Sequence, residues 1–544
     1  MRFAPLALAV LCAAVLFTGL GHVGFTDEGE ARDNEVAREL IERREVLTPL
    51  DAHEPRFEKP VLGYALEALG RWMSPTSAGP ARAVRAIAAL ALVLLTGSIA
   101  ARHFGARAGW CAAAALVTML GLPFAARTDG TQVLATLLAW VGCAGYADAL
   151  FGRRAGRDLR LVTAYGALGA ALVIAGPLPA TWPVAGLALY LRLARPEGGW
   201  RAVRPLAGLA IVIGFALPWY GAMAGIHGAP FLAHAPFFPY GTQPRGPWFA
   251  GVPLAMGFLI VAAFPWSALL PAAALHAAMG WRAARRPGTG AAPGAAHAVD
   301  PATIERREES AAHFFIACLA AALVPIAIYP RPPLSAALPA LPAAALLCGR
   351  FVAHLIEAPQ RLRAPLAGAC RMLALIGSVG AIGCAVLAAR LGDGAPALRL
   401  LGATLLVTSW APLLTELIGR GRIAAALLVM PVAIGVPVVA LEMLPAIEDS
   451  LNTRSVAEAM TAVAPPRAAL VLVEPAPPSL RVYAHRQLVV ADALAATLAA
   501  HRAADGLAYV AFRPARERDV ARNAGTPLEI LTRTPSLVLA RVRP

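Results

Sequence analysis

Apolar positions in this chain come in long unbroken runs rather than in short alternating stretches. Thirteen runs reach the length a bilayer crossing needs, about 17–25 residues: 3–23, 82–101, 107–125, 130–149, 160–176, 178–194, 206–226, 248–271, 312–329, 333–353, 366–389, 396–417 and 422–444. The fifth and sixth share the break Gly176-Pro177, so they read either as two spans or as one re-entrant hairpin. Period-two alternation appears only beyond about 445. There 469–474, 481–484, 507–513, 528–532 and 537–542 read as strands, with a helical run over 492–503. The pattern predicts a polytopic α-helical membrane protein of about 13 spans over 1–444. A small external α/β domain follows over 445–544, large enough for a modest core of its own.

Composition sharpens this picture. Hydrophobic residues make up 58% of the 544 and charged residues 15%, against roughly 45–50% and 25% in a soluble globular protein. A soluble enzyme, a disordered chain and a fibrous repeat are excluded. The net charge is +15, and 47 of the 48 basic residues are arginine; Lys59 is the one lysine. Twenty of those arginines lie in the loops 102–107, 150–160, 192–205, 280–311, 350–365 and 418–422. Cytoplasmic loops carry such an excess, so the N-terminus starts inside, while the loop 24–81 and the tail lie outside. Bases confined to short loops between apolar runs are not a nucleic-acid footprint; membrane lipids are the expected surroundings, with no nucleic acid as partner. The run behind Arg2 is long for a cleaved signal peptide and reads as a retained first span. The Gly/Ala/Pro-rich stretch 287–298 reads as a flexible cytoplasmic linker. The seven cysteines fall inside apolar runs without a C-x-x-C pair, so zinc and redox motifs are unsupported.

The loop 24–81 holds the candidate chemistry, with 12 acids and 7 bases. Asp27 and Glu28 follow directly on the first span. A carboxylate at the mouth of a membrane cavity can serve as a base or bind a cation; equally, Asp27 can simply cap the helix behind it. That helix, near 31–47, gathers Val36, Leu40, Ile41 and Leu47 towards one face. It suits either the membrane surface or the protein's own loops.

Thr26-Asp27-Glu28, Val36-Ala37-Arg38-Glu39-Leu40 and Glu54-Pro55-Arg56-Phe57-Glu58-Lys59-Pro60 together resemble the membrane glycosyltransferases of the GT-C superfamily, in the lipid A aminoarabinose transferase and protein O-mannosyltransferase branch. The resemblance runs on through Arg127-Thr128-Asp129, similar to that branch's second acidic position, and through Pro218-Trp219-Tyr220. It continues in the Pro-rich turn from Tyr329 to Pro342 and in Pro478-Ser479-Leu480 with Tyr483. Two positions depart from the pattern. Glu30 stands where the branch usually has arginine, and Ala175, before Gly176-Pro177, stands where it tends to have lysine.

The resemblance implies a donor sugar linked through phosphate to a polyprenol, an acceptor that is a lipid or a glycan, and a site on the periplasmic side of the bacterial inner membrane. The leaving group is then a lipid phosphate, which needs cations aimed at it. Lys59 is the first candidate, Arg331 the second, with Arg56 and Arg127 behind them; for the last two, interfacial snorkelling is the structural reading. Asp27 would be the catalytic carboxylate. It acts as general base if the acceptor is a hydroxyl and as an orienting group if the acceptor is a phosphate. Glu28 supports it, or joins Asp27 and Asp129 around a divalent cation, the one candidate cofactor; no dedicated metal ligand set is expected. Two other readings stand beside this one. A secondary transporter or lipid flippase predicts mid-span ionisable groups and an internal repeat, yet Glu67 and Glu416 lie near loops or span ends. A non-catalytic homologue would explain the departures at Glu30 and Ala175.

Overall fold

The structure is a computed structural model. It describes residues 3–26, 29–51, 54–152, 156–196, 199–234, 251–284, 301–328, 332–358, 360, 362–390, 395–503, 505–524 and 526–543. The chain divides into two compact units. The first comprises Met1–Thr18, Arg56–Leu66 and Ala83–Val439; the second comprises Gly19–Pro55, Glu67–Arg82 and Ala440–Pro544.

The first unit is helical. Among the described residues nine helices are long and apolar enough to cross a membrane, or ten if one bent pair counts as a single span. The chain is a multi-pass membrane protein. The predicted span 107–125 is that bent pair: Ala106–Val117 and Gly121–Thr128 meet at 55°, and Pro123 inside the second segment cannot donate back across the break. Two other expected spans are shorter than predicted. Ala4–Cys12 continues only as the wide turn Ala13–Phe17 before the chain becomes extended at Thr18. The predicted 248–271 is interrupted after Val252–Ala262, at Pro265, and resumes as Leu270–Ala284. The fifth and sixth runs form two separate helices, Arg157–Ala175 and Leu178–Ala194. Leu341–Glu357 is buried almost from end to end, Arg350 included. An ideal Cβ on Gly349 would lie 2.6 Å from the Ala112 nitrogen. Small residues thus let this helix and Ala106–Val117 approach closely, as membrane helices do.

The second unit is built on a mixed sheet. A two-stranded ladder, β1 (Leu50–Asp51) and β2 (Glu54–Pro55), stands apart from it. The main sheet contains β3 (Leu470–Leu472), β4 (Leu488–Val490), β5 (Ala508–Phe512), β6 (Glu529–Arg533) and β7 (Val538–Val542), in the order β4-β3-β5-β7-β6. β3 runs parallel to β4 and β5, and β7 antiparallel to β5 and β6. Both faces are covered. Leu470, Leu472, Tyr509, Ala511 and Leu539 pack with Val456, Met460 and Leu480 from helices on one side. Val471, Val510, Phe512, Val538 and Ala540 pack with Leu498 and Val520 on the other. The period of two along each strand sorts its side chains between these layers. The expected strand 481–484 is instead the helix Pro478–Ala484. Pro478 presets the first helical turn, and four alternating residues are too few to outweigh it. The strand next in order is β4.

The helix Glu30–Arg43 buries Glu30, Ala31, Asn34, Glu35, Val36 and Ala37 and packs against Pro478–Ala484. Of the two seatings open to it, the protein's own fold takes the buried face. That face is more polar than the predicted one, and Ile41 remains exposed.

Candidate active site

In the first unit the start of the helix Gly130–Phe151 collects several of the predicted residues. Asp129 is its N-cap, with Oδ1 accepting from the Gln132 N–H at 3.0 Å. Its other oxygen, Oδ2, accepts from the Ser335 hydroxyl at 2.8 Å, which ties the acidic motif to the Pro-rich segment Leu334–Ala340. Two residues on, the Thr131 hydroxyl donates to the Gly63 carbonyl at 2.7 Å and accepts from Lys59 Nζ at 3.2 Å. The Lys59 ammonium also stands 4.8 Å from the centroid of the buried Tyr64 ring. That distance lies within cation–π range.

Local sequence explains this placement. Pro60 holds extended backbone, and Val61–Tyr64 then turns tightly, so Lys59 and Tyr64 come to the same side of one turn. Gly63 sits at a close approach where an ideal Cβ would be 2.5 Å from the Ile174 carbonyl oxygen. The position beside Ala175, where the resembled pattern has lysine, therefore lies against the turn that carries Lys59.

The other predicted cations are differently engaged. Arg127 donates to the carbonyls of Val15 at 3.1 Å, Pro123 at 3.1 Å and Thr18 at 2.9 Å. Its own carbonyl accepts from the fully buried Arg85 at 2.9 Å. Arg56 bonds Glu58 from Nε at 3.2 Å and from Nη2 at 2.5 Å. Between them in sequence, Phe57 packs edge-on against His227 and Phe231, with centroids 5.1 and 5.5 Å away. Phe231 in turn meets Trp219 and Tyr220. The Phe-Glu-Lys-Pro and Pro-Trp-Tyr segments thus share one aromatic cluster. Arg331 lies outside the described residues.

In the second unit the strap that leads into the acidic pair is tightly held, although Asp27 and Glu28 themselves lie outside the described residues. Arg82, almost wholly buried, donates from Nε to Glu30 Oε1 at 2.9 Å and from Nη2 to Glu30 Oε2 at 2.7 Å. It also donates to the carbonyls of Leu20 at 3.0 Å, Val23 at 2.7 Å and Gly24 at 2.8 Å. Glu30 Oε2 further accepts the Thr26 N–H at 3.0 Å. The Gly24 N–H donates to Glu448 at 2.9 Å, and the Phe25 N–H donates to the Tyr483 hydroxyl oxygen at 2.7 Å. Burial pushes the Tyr483 phenol up to about 12. Gly29 occupies the N-cap of the following helix without a side-chain cap. Glu30, which stands where the resembled pattern has arginine, is therefore an internal partner of Arg82.

Sequence reasoning missed Arg82, Thr131 and Ser335. For Arg82 a signal existed: it opens an apolar run at the end where the arginine bias predicts few bases. Thr131 and Ser335 gave none, because hydroxyl residues are frequent in such runs. Among the described residues no group of three His, Cys, Asp or Glu side chains could hold a metal ion. The proposed cation site on Asp27, Glu28 and Asp129 extends beyond those residues.

The fold, a set of membrane-length helices with a small sheet region, has counterparts of known structure. Two solved structures share it: ArnT from Cupriavidus metallidurans in the apo state, with TM-score 0.73, and the same protein bound to undecaprenyl phosphate, with TM-score 0.76. Each is 19% identical to this chain, over 99% of this chain and 97% of the other. No family model matches the sequence, and neither does any curated protein.

Proposed function

We propose that this chain is a glycosyltransferase that moves a sugar from a polyprenyl-phosphate-linked donor to a lipid A-like or other cell-envelope acceptor, at the periplasmic face of a bacterial inner membrane. One observation supports this above the others. The sole lysine bonds Thr131 beside the Asp129 motif, in a chain with the fold of ArnT, a protein crystallised with undecaprenyl phosphate. In this reading 1–444 carries the spans and the donor, and 445–544 is the periplasmic domain.

The acceptor oxygen attacks the sugar's anomeric carbon. The bond from that carbon to the phosphate oxygen breaks, and polyprenyl phosphate leaves with the electron pair. Lys59, Arg331 and Arg56 offset the charge gathering on the phosphate. Arg127, whose guanidinium is taken up by carbonyls, adds its field. Asp27 removes the proton from an acceptor hydroxyl in an inverting displacement, with Glu28 in support. Asp129 fixes the helix start that presents Thr131 to Lys59.

The test is transfer of labelled sugar from a polyprenyl-phosphate donor in reconstituted vesicles. Asp27→Asn is expected to lose about 10²–10⁴-fold in rate and Lys59→Ala about 10²–10³-fold, both folded by thermal melt. Full activity in both variants would overturn the residue assignment. A wild type that moves solute but no sugar from any such donor would establish the transporter reading instead.

A further inference from the structure

A second cluster of charge lies at the other end of the helix Gly130–Phe151, within the transmembrane unit. The last turns of Ala78–Phe104 and Gly130–Phe151 meet the first turns of Arg157–Ala175 and Pro301–Ile328 around a cavity of about 470 Å³. Its polar lining is Arg102, His103, Asp148, Arg160, Arg307 and Glu308. All four helices are long and apolar enough to cross a membrane. A cavity at their shared ends therefore lies where hydrocarbon gives way to headgroups. It is also the end that carries the arginine-rich loop 102–107.

Asp148 is already matched within the protein. Its Oδ1 lies 3.4 Å from Arg102 Nε and 3.3 Å from His103 Nε2. Arg102, Arg160 and Arg307 outnumber the two carboxylates Asp148 and Glu308, so the lining keeps an excess of positive charge. The cavity also has an apolar side, made by Phe151 and by Ile304, which is about half exposed. A small soluble anion gains nothing from those side chains, whereas the glycerol and first methylenes of a lipid would cover them.

We propose that this cavity binds the phosphodiester headgroup of an anionic glycerophospholipid from the leaflet at the arginine-rich end. Basic pockets between span ends hold such headgroups by charge and by guanidinium–phosphate hydrogen bonds. The site is separate from the proposed transfer chemistry and does not depend on it.

The full-length protein in mild detergent is titrated with phosphatidylglycerol or phosphatidylcholine, and bound lipid is counted by native mass spectrometry. Wild type is expected to retain phosphatidylglycerol over phosphatidylcholine. Arg102→Gln/Arg160→Gln/Arg307→Gln should lose about tenfold in phosphatidylglycerol retention, whereas Arg420→Gln/Arg422→Gln, exposed in another arginine-bearing loop and outside the cavity, should match wild type. Arg307→Gln alone, at an exposed position, should show a partial loss even if the triple variant fails to fold. Excess inorganic phosphate should leave the lipid in place; phosphate retained in its stead would reassign the cavity to the free anion and overturn the lipid source. Equal retention of the two lipids by wild type, or undiminished phosphatidylglycerol binding in Arg307→Gln, would overturn the proposal.

Discussion

Arg82 shows how much one side chain can organise. A guanidinium has five N–H donors in a rigid fork, and here all five find acceptors on the segment from Leu20 to Glu30. An ammonium has three donors and no fork, so lysine is not equivalent there. Arg82→Met should destabilise the second unit by about 3–5 kcal/mol, since it takes the guanidinium away from the buried Glu30 carboxylate. Adding Glu30→Leu should recover part of that loss, and chemical denaturation of the two variants measures the difference. Tyr483 acts on the same segment through one bond. Tyr483→Phe orphans the buried Phe25 N–H at a cost of about 1–3 kcal/mol at neutral pH. The phenol is pushed up to about 12 by burial, from about 10 in an unfolded chain. Folding thus favours its neutral form. Its contribution is complete below pH 10 and is lost as pH rises towards 12. Melting of wild type across that window should fall more steeply than melting of Tyr483→Phe.

At the scale of elements, long apolar runs were legible because a bilayer-length segment leaves little choice, and among the described residues nine of them reappear as helices long enough to cross. Their interruptions were less legible. Pro123 and Pro265 sit inside runs that are apolar throughout, and hydropathy does not register a missing N–H. In the tail, β3, β5, β6 and β7 follow the alternation, but four residues at 481–484 carried too little pattern to separate strand from helix. The turn Val61–Tyr64 is where element geometry bears on the proposed chemistry. Gly63→Ala would place a methyl 2.5 Å from the Ile174 carbonyl oxygen, and backbone on that side has little room to yield. A loss of about 1–3 kcal/mol is expected, with Lys59 drawn away from Thr131. Sugar transfer should drop in the folded variant, and an undiminished rate would show that the turn does not position the lysine.

At the scale of the whole molecule, composition was enough to define a multi-pass membrane protein, and the order of the motifs was enough to suggest its fold. What the sequence hid was the makeup of the second unit. Residues 19–55 and 67–82 group with the tail through contacts such as Arg481 to Asp51 at 2.9 Å, and no local pattern reports a pairing across four hundred positions. The arginine bias makes a prediction at this scale. A membrane-impermeant maleimide should label Arg518→Cys in intact spheroplasts and Arg420→Cys only after permeabilisation; labelling of both from outside would reverse or break the proposed orientation.

The placement of Lys59 over Tyr64 offers a built-in spectroscopic probe. Because the chain has one lysine, reductive methylation with ¹³C-formaldehyde introduces a single dimethylamino resonance from a side chain. An aromatic face 4.8 Å away shifts that resonance by its ring current. Any molecule that draws the amine off the ring announces itself as one moving peak, in a protein otherwise too large and too crowded with signals to read.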